Sequence, residues 1–142
     1  MSAILPDPST PFGARVAARL RDESTIWIVT VGADGTPQPN PVWFLWDGLS
    51  FLIYSLPDAA RVAHIRRNPR VALHFDSDGE GEDIIVFTGQ ASEAPDAPSA
   101  DQNPAYIAKY GEQIKEISGD PAAMAAQYSL ALRIRPDKVR GF

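Results

Sequence analysis

A chain of 142 residues, 44% of them hydrophobic and 22% charged, has the size and composition of one globular domain; two domains would each be too short to bury a good core. It contains no cysteine, which excludes a disulfide scaffold, a thiolate zinc site, an iron–sulfur cluster and a cysteine nucleophile. A formal net charge of −5 argues against a general nucleic-acid binder, which needs a basic face.

No apolar run reaches the roughly 18–20 residues that span a bilayer. The first residues, Met1-Ser2-Ala3-Ile4-Leu5-Pro6, lack a basic stretch followed by an apolar core, so no signal peptide is expected and the cytoplasm is the expected compartment. Charge is uneven along the chain. Asp58 to Arg70 holds Arg61, Arg66, Arg67, Arg70 and His64 against one acid, whereas Asp76 to Asp83 holds five acids and no base. The first cluster suits a local anion site or a solvated arginine face.

Ser9-Thr10-Pro11 followed by Phe12, Val16 and Leu20 predicts a capped helix running to Arg21 or Asp22. Thr25 to Val31 is dense in β-branched residues and reads as a strand, and Gly32-Ala33-Asp34-Gly35 as its hairpin turn. A second extended segment follows over Thr36 to Trp46. Its prolines at 37, 39 and 41 keep its first half from being a normally bonded central strand. Alternation puts Trp43 and Leu45 on one face and Phe44 and Trp46 on the other. Asp47-Gly48 turns the chain into a third strand, Leu49 to Ser55.

Ala59, Val62 and Ile65 share one face of a helix over Asp58 to Arg67, which Asn68-Pro69 stops. A fourth strand, Arg70 to Asp76, sets His74 on the face opposite Leu73 and Phe75. After the acidic loop come a fifth strand (Asp83 to Ser92), a connection (Glu93 to Asn103), two helices (Pro104 to Ile117 and Pro121 to Tyr128) and a sixth strand over Leu130 to Arg135. This order predicts one domain over 1–142: a mainly antiparallel sheet or barrel with peripheral helices. Trp27 and Phe44 read as barrel core.

Neither standard nucleotide-binding glycine motif is present, nor a serine nucleophile elbow. His74, Asp76 and Asp78 read as a strand end with a solvated turn rather than as metal ligands. The proline-bearing segment is more informative. Thr36-Pro37-Gln38-Pro39-Asn40-Pro41-Val42-Trp43-Phe44 gives a rigid extended backbone with few donors, against which a flat heteroaromatic ring could lie, its polar edge met by the free carbonyls and the Gln38 and Asn40 amides. Tyr54-Ser55 leads into a helix start with Arg61 one turn in, the components of a phosphate site. The same residues also suit an edge strand followed by a plain crossover helix.

The run from Asp34-Gly35-Thr36 through Pro41-Val42-Trp43-Phe44, then Asp47-Gly48, Phe51 to Ser55, Arg61, Ile65, Asn68-Pro69-Arg70-Val71 and Leu73, resembles the pyridoxamine 5′-phosphate oxidase-like superfamily. Within it, the chain is most similar to the group of coenzyme F420-dependent flavin/deazaflavin oxidoreductases. The resemblance covers Ser24 to Ser92 well, and the closing strand more loosely. It implies a split β-barrel working as a homodimer, with two cofactor sites at the subunit interface. It implies ring contact along Gln38 to Trp43 and phosphate contact at Tyr54, Ser55 and Arg61. The activity implied is hydride transfer between F420 and a small conjugated acceptor, with no metal and no side chain acting as acid–base catalyst. The same fold also implies FMN as an alternative cofactor, or a non-catalytic flavin or tetrapyrrole binder. Many members carry a second base two positions before the arginine, where this chain has Ala59.

Overall fold

The structure is a computed structural model describing residues 4–142; the reading of Met1 to Ala3 lies outside it. Helix α1 spans Pro11–Asp22. The Thr10 hydroxyl accepts from Gly13 N–H at 3.0 Å, and Pro11 sits in the first turn, where its missing donor costs nothing. Seven strands follow: β1 (Thr25–Val31), β2 (Pro37–Trp43), β3 (Leu45–Trp46), β4 (Phe51–Ser55), β5 (Arg70–His74), β6 (Ile85–Glu93) and β7 (Leu130–Gly141). Helix α2 (Ala60–Arg67) lies between β4 and β5, and α3 (Pro104–Ile117) and α4 (Pro121–Gln127) between β6 and β7.

All strand pairings are antiparallel, in the order β2-β1-β5-β6-β7-β4-β3. The two edge strands, β2 and β3, are separated in sequence by Phe44 alone. A sheet whose opposite edges are joined by one residue must curl until they meet there. The result is a barrel closed at Phe44 and split below it, because no ladder joins β2 to β4 among the described residues.

The interior holds Ile26 and Ile28 of β1, Phe44, Phe51 and Ile53, Leu73, Ile85 and Phe87, and Leu132 and Ile134 of β7, each at most 1% exposed. Phe51 meets Phe44 and Phe87 edge-on, at centroid separations of 5.8 and 5.1 Å. Helix α2 packs on this core through Ile65. A second core lies between the outer face of β4 and the two late helices, where Leu52 and Tyr54 pack with Tyr106, Tyr110, Ile114 and Met124. β4 is therefore buried on both faces.

Several sequence expectations need correction. The second extended segment is two strands, because it changes sheet edge at Phe44. The third predicted strand starts at Phe51, since the Asp47 carboxylate accepts from Leu49 and Ser50 N–H and Gly48 turns with φ +98°. The crossover helix begins at Ala60, with Ala59 as a cap that offers no side-chain bond. The last strand continues to Gly141, past Pro136, by a bulge opposite Thr88/Gly89. A Cβ at Gly89 would collide there with the Arg135 carbonyl, so only glycine fits.

Trp27 is not core. It lies on the outer face, stacked on His74 at 6.2 Å, with its indole N–H donating to Asp76 at 2.9 Å. The predicted facing of the neighbouring segment holds. Trp43 and Leu45 pack against the second core, Phe44 and Trp46 against the first.

Candidate functional site

The sequence-predicted residues lie on β2, at the end of β4 and on α2, and they do not share one role. Directly opposed residues of an antiparallel pair share a face. Pro37, Pro39 and Pro41 oppose Val31, Val29 and Trp27 and so share the outer face; Gln38, Asn40 and Val42 oppose Thr30, Ile28 and Ile26 and take the inward register. Val42 reaches the core and is 8% exposed. Gln38 and Asn40, near the open end of the split, remain exposed.

Prolines cannot donate to a ladder, so the β2 donors that pair with β1 come from the even positions. The prolines then remove donors only from the free edge. What that edge offers is carbonyl acceptors, with the Gln38 and Asn40 amides close by. An edge of that kind accepts hydrogen bonds from a planar ring without competing donors.

The anion end is built by β4 and α2. Ser55 is fully buried at the end of β4, and Arg61 Nη1 donates to its Oγ at 3.1 Å. Arg61 is half-buried, and burial lowers its pKa below the ordinary arginine value. Its Nε is buried without a hydrogen-bond partner among the described residues. Among the described residues no carboxylate lies within salt-bridge distance of it; Arg67, Arg135 and Arg140 also have none, but those three are exposed. A partly desolvated cation without a counter-ion is costly unless it serves a ligand. The uncapped N-terminus of α2 adds positive potential beside it.

Tyr54 does not join this pair. Adjacent strand residues point to opposite faces, so Tyr54 turns into the second core while Ser55 faces inward. Its hydroxyl donates to the Pro98 carbonyl at 2.7 Å and accepts from Asn103 Nδ2 at 3.1 Å, and burial raises its pKa. Arg66 is likewise committed, through a bidentate pair with Glu93 at 2.9 Å. His64 packs on β1, where its Nδ1 lies 2.8 Å from the Thr30 hydroxyl.

Trp43 is held from behind. Its ring stacks on Tyr110 of α3 at 4.4 Å and 3°. The Tyr110 hydroxyl accepts from Phe44 N–H at 2.9 Å and donates to the Ser24 carbonyl at 2.7 Å, with the Phe44 carbonyl an alternative acceptor at 2.8 Å. Lys109 Nζ donates to that same Phe44 carbonyl at 2.9 Å and lies 3.7 Å from the centroid of the Phe44 ring. Sequence reading passed over both residues: they lie on a helix whose own pattern says only that one face is apolar.

The architecture is a curled antiparallel sheet split on one side, with peripheral helices. Residues 12–142 match the pyridoxamine 5′-phosphate oxidase family, and the chain belongs to it. Among solved structures, it is similar to an F420 reductase at 24% identity and TM-score 0.64, over 87% of this chain and 94% of that one. It is also similar to HutZ, the haem storage protein of Vibrio cholerae, at 12% identity and TM-score 0.64, over 93% and 95% of the two chains. General Stress Protein 26 of Bacillus anthracis matches at 16% identity and TM-score 0.62, over 89% of each chain. At these identities the likeness is one of fold. No curated protein matches the sequence significantly.

Proposed function

We propose that the chain binds a phosphate-bearing deazaflavin, coenzyme F420, in the split between β2 and β4, and that it acts as an oxidoreductase on a small conjugated acceptor. The observation that carries this reading is Arg61: half-buried, bonded to Ser55, with an orphaned Nε and no carboxylate. The residues fit the group. Arg61 and the α2 N-terminus would take the phosphate, with buried Ser55 holding the guanidinium in place while its own hydroxyl donates to the Leu56 carbonyl. The donor-free edge of Pro37 to Pro41 and the Gln38 and Asn40 amides would take the polar rim of the ring. When bound, the cofactor supplies the hydride. The chain's own part is to neutralise the phosphate, align the ring along a stiff strand and exclude water from one side of it. No acid–base side chain is assigned.

The resemblance to F420-dependent oxidoreductases, and the F420 reductase among the structures of like fold, support F420 over FMN. The absence of a second base at Ala59 leaves Arg61 as the principal phosphate ligand. The outer face of β1, β5 and β6 supports a homodimer. Trp27, Val29, Val31, Ala72 and Val86 form a half-exposed apolar surface there, next to the β2 prolines, which a second copy would cover.

The test is a side-by-side fluorescence and absorbance titration of the purified chain with F420, FMN and haem. Preferential F420 binding is expected. Binding of FMN alone replaces the cofactor, binding of haem alone replaces the enzyme reading with a tetrapyrrole carrier, and binding of none removes the site.

A further inference from the structure

The closing point of the barrel is made by side chains rather than by a ladder. At Phe44 the chain leaves the β2 edge and enters the β3 edge, so the Phe44 N–H and C=O have no strand partner. Phe44 is fully buried, and unpaired backbone groups there would be costly. Helix α3 supplies the partners. The Tyr110 hydroxyl takes the Phe44 N–H and reaches the Ser24 carbonyl, just before β1, while Lys109 Nζ takes the Phe44 carbonyl. One phenol thus ties the residue before β1 to the residue joining β2 to β3, and its ring fixes the plane of Trp43 at the end of β2.

We infer that Tyr110 and Lys109 are positioning residues for the cofactor cleft: by clamping Phe44 at the apex of the split, they set how far β2 stands from β4. The inference rests on the reading of that split as the cofactor site. Geometry makes the apex a lever. Pro37 to Pro41 lie on the open arm beyond the clamp, held on one side only by β1. Ser55 and Arg61 lie on the other arm, held by β7 and α2. A change of angle at Phe44 alters the separation between ring edge and phosphate end without moving either set of contacts internally. The clamp comes from a helix some 66 residues further along the chain, so a change in how α3 packs is transmitted to β2 through one residue. Burial keeps the Tyr110 phenol protonated far into the alkaline range, so its role as donor is stable.

The experiment compares Tyr110→Phe, Lys109→Met and a core control, Ile114→Val, which thins the same α3 packing without touching Phe44. Two readouts are taken on the full chain: hydrogen exchange resolved by segment, and titration with F420 and with FMN. Tyr110→Phe keeps the stacked ring and loses the hydroxyl. Exchange over residues 38–52 is expected to rise at least about tenfold while β5 and β6 stay protected, as loss of buried hydrogen bonds at one place requires. Cofactor affinity is expected to fall about tenfold below that of Ile114→Val. Uniformly raised exchange, or affinity equal to that of the control, overturns the inference. If Tyr110→Phe does not fold, Lys109→Met decides by the same two criteria. A parent chain that binds neither cofactor overturns the cofactor reading itself; a parent that binds, with Tyr110→Phe matching the control, overturns only the clamp.

Discussion

Arg61→Ala separates a ligand contact from a structural one. Among the described residues Arg61 makes one hydrogen bond, to Ser55, and its buried Nε makes none. No ion pair is lost when it is removed, and the penalty of the orphaned group disappears with it. The change in folding stability is therefore expected to stay within about 1 kcal/mol, the scale of one net hydrogen bond. A charge-assisted phosphate contact is worth about 1.5–3 kcal/mol, so affinity for F420 or FMN is expected to fall roughly ten- to a hundredfold. Riboflavin, which has the ring and no phosphate, provides the internal control: its affinity is expected to be equal in parent and variant. Arg66→Ala provides the external one, because Arg66 is exposed and bound to Glu93. The assay is fluorescence titration at fixed ionic strength, with urea unfolding alongside. Equal losses for riboflavin and FMN, or for Arg66→Ala and Arg61→Ala, would refute a localised phosphate site and leave only diffuse attraction.

Light scattering at micromolar concentration is expected to give a homodimer, since a second copy would cover the half-exposed apolar outer face of β1, β5 and β6; a monomer sinks that proposal and the interface site with it. Turnover at saturating cofactor is expected to stay within about tenfold of the parent in His64→Ala and in His74→Ala, because general acid–base help would cost roughly 100-fold or more when lost; a thousandfold drop with dimer and affinity intact would make that histidine the proton donor. Stability is expected to rise with pH from about 8 towards 10. Burial lowers Lys109 to about 8, against the attraction of Glu23 and Asp22, so across that window the unfolded chain binds the extra proton. Above about 10 the trend reverses, because burial raises Tyr106 and Tyr110 and there the folded chain keeps protons that the unfolded one has lost. Urea midpoints across this range measure both limbs, and a rise that persists undiminished in Lys109→Met refutes the assignment.

Local chemistry carried most of the secondary structure. Thr10 and Pro11 start α1, Gly35 turns the first hairpin, Asn68-Pro69 end α2, and period-two alternation sorts Trp43 and Leu45 from Phe44 and Trp46. Each is decided by steric and hydrogen-bonding rules acting over a few residues. The pairing of Ser55 with Arg61 was legible for the same reason, being six residues long. Alternation states that neighbours face opposite ways without saying which way is inside. Only the curl of the sheet sent Trp27 outward to His74, Tyr54 to Pro98 and Asn103, and Val42 into the core. The break at Phe44 has no local signal, because it arises where two sheet edges happen to meet and is stabilised by Tyr110 and Lys109 from a distant helix. Nor does any local rule carry the last strand past Pro136. That proline is tolerated because a bulge opposite Gly89 removes the need for its donor, and the bulge exists only once β6 and β7 are paired.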